Sequence, residues 1–169
     1  QSDERLAQQQ FDVSETLVRT LVSLESKVNG KALEVDTQLP DEPVQVWGDQ
    51  DAITQVCYNL LDNAIKFTPA GGEITIRASM DKDWLTVSFT DTGIGMTPEV
   101  KQRVFDKFYQ GDTSHKKKGN GLGLALVRQI VTLYGGSVEV ESAPDMGSTF
   151  TVRLPAHTIS SESSSEQSA

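Results

Sequence analysis

Two alternating apolar runs that meet at a charged turn constrain this chain more than any other feature. Ile74, Ile76, Ala78 and Met80 recur at every second position, and Leu85, Val87, Phe89 and Asp91 do the same after Asp81-Lys82-Asp83. Successive side chains of a strand point to opposite faces, so this period marks strands with one face covered and the other wet. The pair reads as an antiparallel hairpin with something apolar on its buried side. Asp91 keeps the parity of Leu85, Val87 and Phe89, which aims a carboxylate toward the core. A carboxylate there is costly unless hydrogen bonds reach it. Two sources stay open: capping of its own turn, Asp91-Thr92-Gly93, or a donor brought by a ligand. Gly93 and Gly95, so close together, favour a backbone that something approaches tightly.

Helical spacing supplies the cover. Asp12 with Glu15 reads as a capping box, and Leu17, Leu21, Leu24 and Val28 then recur until Asn29-Gly30, which predicts one amphipathic helix. Leu33 to Leu39 alternates, and Val44 to Trp47 is a short extended run. A helix follows from Gln50 to about Phe67, capped by Asp49 and closed by Pro69 and Gly71-Gly72. Thr97-Pro98 opens a short helix near Glu99 to Val104, Gly121 to Tyr134 is helical, and Ser137 to Ser142 and Ser148 to Leu154 are the last strands, about a turn at Pro144-Asp145. Hairpins separated by helices predict an α+β fold: a two-layer sandwich with one mixed, largely antiparallel sheet covered by helices on one face.

At 169 residues with 37% hydrophobic content, the chain suits a single domain with one core. A formal net charge of −9 speaks against nucleic acid and anionic membrane surfaces as partners, since both demand a basic face. Cys57, the single cysteine, falls among apolar residues of a helix and reads as a core thiol, which suits a reducing compartment. No apolar run is long enough to cross a bilayer, so the chain as given is expected to be soluble. Residues 1–10 read as the end of an upstream linker or helix, 11–156 as the domain, and 157–169 as a disordered Ser/Glu-rich tail.

Chemistry concentrates in three places. At about 100° per residue, Asn59, Asn63 and Lys66 stack along one edge of the apolar stripe formed by Ile53, Val56, Leu60, Ala64 and Phe67. Amide oxygens are hard neutral ligands suited to Mg²⁺, and a lysine one turn on can meet the phosphates that share the metal; taken alone, asparagines on a helix edge are as readily just solvated. The inward Asp91 would suit the exocyclic amine of an adenine. Lys116-Lys117-Lys118 runs into Gly119-Asn120-Gly121-Leu122-Gly123-Leu124, a basic then glycine-rich loop whose backbone N–H groups can hold phosphate at a helix start. It is neither a Rossmann fingerprint nor a P-loop.

Together these pieces resemble the ATP-binding catalytic domain of two-component sensor histidine kinases. Asn59 to Thr68 is similar to that family's asparagine box, Asp91 to Gly95 to its first glycine box and Val104 to Tyr109 to its phenylalanine box. Gly119 to Leu124 is similar to the second glycine box, and Gly147 to Phe150 to the last glycine motif, all in family order. The resemblance implies the Bergerat-type fold shared with type II topoisomerases, heat-shock chaperones and mismatch-repair ATPases, with ATP and Mg²⁺ as cofactors. It implies that Asn63, helped by Asn59, ligates Mg²⁺, that Lys66 contacts phosphate, and that Asp91 bonds the adenine amine, reinforced by the Ser148 hydroxyl. Gly93 and Gly95 would admit the base, with Phe67 also at the nucleotide. Lys116, Lys118, Gly119, Gly121, Leu122, Gly123 and Leu124 would form the phosphate side, under a lid from Gln110 to Asn120.

The implied partners are a dimerisation and phosphoacceptor domain of the same kinase and a downstream response regulator. The isolated domain is expected to be a monomer, within a homodimeric parent that is a membrane-bound bacterial sensor kinase with this domain on the cytoplasmic side. Gln110 stands where the family often has arginine, and Ser148 where threonine is usual. The only histidines, His115 and His157, fall in the lid and the tail, so the phosphorylated histidine is expected on another domain or chain. Two rival readings are an ATPase of the topoisomerase or chaperone type and a degenerate nucleotide-sensing module. Asn59 opposes the first, since those relatives carry a water-activating glutamate there, and the retained Asn63, Lys66, Asp91 and glycines oppose the second.

Overall fold

The computed structural model describes residues 8–107 and 123–156. Its elements are β1 (Gln9–Asp12), α1 (Val13–Ser23), α2 (Glu25–Gly30), β2 (Glu34–Gln38), β3 (Gln45–Gly48) and α3 (Gln50–Phe67). Then follow β4 (Glu73–Asp81), β5 (Trp84–Asp91), α4 (Pro98–Arg103), α5 (Gly123–Leu133), β6 (Ser137–Ser142) and β7 (Ser148–Pro155).

The predicted hairpin is β4–β5, and it lies inside a five-stranded sheet of order β2-β4-β5-β7-β6. Only β2 and β4 run parallel, because α3 crosses between them; the other neighbours are antiparallel. Ile74, Ile76, Leu85, Val87, Phe89, Phe150, Val152 and Leu154 are buried on one face, with Asp91 and Ser148 in the same layer. Helix α3 meets them with Ile53, Val56, Leu60, Leu61, Ala64 and Ile65, and α5 with Val127, Ile130 and Val131. The opposite parity is hydroxyl-rich: the hydroxyls of Thr90 and Thr149 are 3.1 Å apart across β5 and β7. This is the expected two-layer α+β sandwich.

Four local expectations differ from the structure. The run Val44 to Trp47 does not join the main sheet; β3 pairs with β1 in a separate antiparallel ribbon, Phe11 opposite Val46. Gln9 and Gln10 thus belong to a strand and not to the end of a helix. The expected single helix from Asp12 to Gly30 is broken at Leu24, whose φ of −107° and ψ of 11° leave the α region. Thr16, Thr20 and Ser23 all turn their hydroxyls back on carbonyls three or four residues earlier, which competes with the helical ladder and bends it. Asp12 caps α1, but its Oδ1 accepts from Ser14 N–H and Val44 N–H, both at 3.0 Å, while Glu15 pairs with Arg19 and closes no capping box.

Candidate functional site

Asp91 ends β5 with its side chain inward and is buried, as its parity requires. Its Oδ1 accepts from Gly93 N–H at 2.8 Å and from Ser148 N–H at 3.2 Å. Among the described residues no donor reaches Oδ2. Burial holds the carboxyl above its usual pKa, and the two backbone amides only partly oppose this. Of the two sources left open by the sequence, capping of its own turn is present, through Oδ1 and Gly93 N–H, and the Ser148 N–H adds a donor from the neighbouring strand.

Ser148 lies directly across from Asp91. Its hydroxyl is 2.9 Å from that of Ser142, which in turn donates to the Gly147 carbonyl at 2.8 Å. The Ser142 proton is thereby spent, so Ser148 is the donor of the pair and keeps its lone pairs for accepting. Beside Asp91 it adds a second acceptor to the same inner layer.

The two glycines have a cause inside the protein. A Cβ on Gly93 would stand 2.4 Å from the Phe67 carbonyl oxygen and 2.8 Å from Asp91 Oδ1; one on Gly95, at φ +70°, would stand 1.9 Å from the carbonyl oxygen of Ala143. What stands this close among the described residues is protein: the two carbonyl oxygens and the Asp91 carboxylate. Phe67 joins this cluster through its carbonyl, which accepts from Ile94 N–H at 3.2 Å and ties the end of α3 to the loop after β5.

On α3, Asn59, Asn63 and Lys66 are half-buried along one edge, as the helical spacing predicts. Asn59 Nδ2 donates to the Gly123 carbonyl at 3.0 Å, and its Oδ1 accepts from Gln55 Nε2 at 2.8 Å. The Asn63 side chain has no hydrogen bond to another described residue. Lys31 donates from Nζ to the carbonyls of Ile65 and Lys66, at 2.7 and 3.2 Å, and so places a cation on the C-terminal end of the α3 dipole. Gly123 begins α5, where a Cβ would stand in ordinary contact with the Asn59 amide at 3.8 Å, and Leu124 is packed against the core. Lys116, Lys118, Gly119, Gly121 and Leu122, together with Gln110, His115, His157 and the expected lid, lie outside the described residues.

Sequence reasoning missed Gln55, Lys31 and Ser142. Only Gln55 left a local signal, standing one helical turn before Asn59. Among the described residues no three carboxylate, histidine or cysteine side chains converge, so a metal here would take amide oxygens and the oxygens of the anion it accompanies.

A family model described as histidine kinase-, DNA gyrase B- and HSP90-like ATPase matches residues 48–158. The chain belongs to this family. Within the family it is a histidine kinase catalytic domain, an ATP-binding module of two-component signalling. It is 47% identical over 120 residues to the circadian input-output histidine kinase CikA of Thermosynechococcus vestitus, covering 70% of this chain and 16% of that protein. It is 40% identical over 151 residues to the non-motile and phage-resistance protein of Caulobacter vibrioides, covering 85% of this chain and 17% of the relative. The histidine kinase domain also superposes on the mycobacterial sensor histidine kinase MprB with a TM-score of 0.78 at 28% identity, over 90% of this chain and 100% of that one. Full-length ShkA in complex with AMPPNP gives a TM-score of 0.80 at 27% identity, over 91% and 32% of the two chains. The chain thus spans under a fifth of the two curated relatives. No described helix of this histidine kinase domain is long and apolar enough to cross a membrane.

Proposed function

We propose that residues 11–156 bind Mg·ATP and pass its γ-phosphoryl group to a histidine on a separate helical domain of the same kinase. The observation that carries this is the inward Asp91, with Oδ1 committed to two backbone amides and Oδ2 left for the adenine amine, beside the accepting hydroxyl of Ser148. A structural neighbour, full-length ShkA, is in complex with AMPPNP, which supports an adenine nucleotide as the ligand.

Asn63 and Asn59 present oxygens of the kind Mg²⁺ takes when it arrives with phosphates, and the ion would neutralise phosphate charge there. Lys66 lies one turn beyond Asn63 and would meet the phosphates, with Lys116, Lys118 and the backbone from Gly119 to Leu124 on their other side. The domain's contribution is then position and electrostatics. Asn59 is an amide and takes no proton from water near neutral pH, which leaves the γ-phosphoryl for a histidine.

The receiving partners are the phosphoacceptor domain and, downstream, a response regulator. A structural neighbour, the histidine kinase ThkA in complex with the response regulator TrrA, supports the second, at a TM-score of 0.75 and 25% identity over 90% of this chain and 42% of that one. In the cell the domain would face the cytoplasm. The test is incubation with γ-labelled ATP and Mg²⁺, with and without a helical hairpin fragment from the same kinase. Label on the hairpin histidine, and none on the domain alone, is the expected result; rapid phosphate release without the hairpin would instead favour an ATPase.

A further inference from the structure

We propose that Gln55 is a positioning residue for this reaction, which fixes the amide of Asn59 so that its oxygen is presented in one orientation. The inference rests on Asn59 standing at the metal, as proposed above. A primary amide fills almost the same space when flipped, so its orientation is decided by its partners. The Gly123 carbonyl is only an acceptor, and it takes the Asn59 NH₂ at 3.0 Å. Gln55 presents its own NH₂ to the Asn59 oxygen at 2.8 Å. The two contacts demand the same orientation, and they leave the Asn59 oxygen one further lone pair for a cation.

The alternative is an i, i+4 amide pair on a helix surface that supports the helix weakly and does nothing more. Gln55 itself is exposed while Asn59 is half-buried. That difference makes the question testable, since no core contact is lost when Gln55 is replaced.

Gln55→Glu is nearly isosteric but exchanges a donor for an acceptor. It sets an acceptor against the Asn59 oxygen and competes with the Gly123 carbonyl for the Asn59 NH₂, so the oxygen is no longer held in one orientation. Negative charge alone would attract Mg²⁺, so charge and orientation act in opposite directions.

The experiment compares ATP affinity with and without Mg²⁺, by calorimetry, in wild type, Gln55→Ala, Gln55→Glu and Gln55→Lys. The Mg²⁺-dependent gain in affinity should fall about tenfold in Gln55→Glu, the order of one net hydrogen bond, and less in Gln55→Ala. Gln55→Lys keeps a donor and should restore most of it against its own charge. Affinity without Mg²⁺ should not change. In the nucleotide-free protein the side-chain NH₂ resonances of Asn59 should shift in Gln55→Glu and hold in Gln55→Lys. A Mg²⁺-dependent gain that is unchanged or larger in Gln55→Glu overturns the proposal. Asn59→Ala separates the two readings: if it leaves the Mg²⁺ dependence intact, the metal assignment fails, and if it abolishes it while Gln55→Glu does not, only the role of Gln55 fails.

Discussion

The Tyr134 hydroxyl closes on both backbone polar groups of a single residue: it accepts from the N–H of Asp49 and donates to the Asp49 carbonyl at 3.1 Å. Asp49 is the N-cap of α3, its carboxylate accepting from Ala52 N–H at 3.1 Å. The residue just past α5 therefore fixes the start of the helix that carries Asn59, Asn63 and Lys66. Gly48 leaves room for the contact, since a Cβ there would stand 2.6 Å from the Tyr134 hydroxyl oxygen.

Tyr134→Phe keeps the ring and removes both bonds from the half-buried backbone of Asp49, whose carbonyl still accepts from Ile53 N–H. It should cost about 1–3 kcal/mol of unfolding free energy, measured by urea denaturation at pH 7. A loss below about 0.3 kcal/mol, within the usual range for surface changes, would mean that water replaces the hydroxyl freely.

The same pair has a pH signature. Burial pushes the Tyr134 hydroxyl up to about 12, the Asp49 N–H opposing and the Asp49 charge assisting, against an unfolded value of about 10. A folded pKa above the unfolded one gives stability that is complete below about pH 10 and is lost as pH rises toward 12. The stability difference between wild type and Tyr134→Phe should hold constant from pH 7 to 9 and shrink above 10. A difference that widens with alkali would reverse the assignment.

Asp91→Asn should separate binding from stability. Oδ1 of asparagine can still accept from Gly93 and Ser148, while the charge that burial disfavours is gone. Because the folded pKa is raised, the ionised carboxylate opposes folding at neutral pH, and that opposition fades as acid protonates it. The variant should melt no lower than wild type at pH 7, and any advantage should vanish toward pH 3. Adenine-nucleotide affinity should fall by about 1.5–3 kcal/mol, the loss of a charge-assisted bond. A well-folded Asp91→Asn protein with undiminished ATP affinity would remove Asp91 from the site.

Hydrolysis should be slow. With an amide at Asn59 and no base in its place, steady-state phosphate release at saturating Mg·ATP should stay well under ~1 s⁻¹, the low end of typical enzymes. The purified domain should also carry no acid-labile phosphate on His115 or His157. Turnover at or above that rate, abolished by Asn63→Ala, would move the chain among the ATPases of its family.

What the sequence disclosed depended on the range over which each cause acts. The inward aim of Asp91 follows from alternation along one strand, and the edge shared by Asn59, Asn63 and Lys66 from the helical repeat, so both were legible. The break at Leu24 was local too, but its cause lies in three hydroxyls whose preference for earlier carbonyls is too weak to outvote an apolar period. Nothing in Val44 to Trp47 says which strand it will meet, and it meets β1 instead of the main sheet. The crowding at Gly95 depends on Ala143, and the Ser148 hydroxyl on Ser142, contacts that exist only once β5, β6 and β7 lie side by side.

Asp91 and Ser148 face one another across β5 and β7 although 57 residues separate them in sequence. Helices α4 and α5, strand β6 and residues 108–122 all lie within the loop that this pairing closes. Closure entropy grows with the logarithm of loop length, so doubling such a loop costs only about 0.6 kcal/mol. The stretch from Lys107 to Gly123 can therefore gain or lose residues with little penalty to the sheet. The same long closure orders events during folding. Until β7 arrives, the Asp91 carboxylate has only the Gly93 amide of its own turn to accept from, and affinity for ATP should be among the last properties the chain acquires.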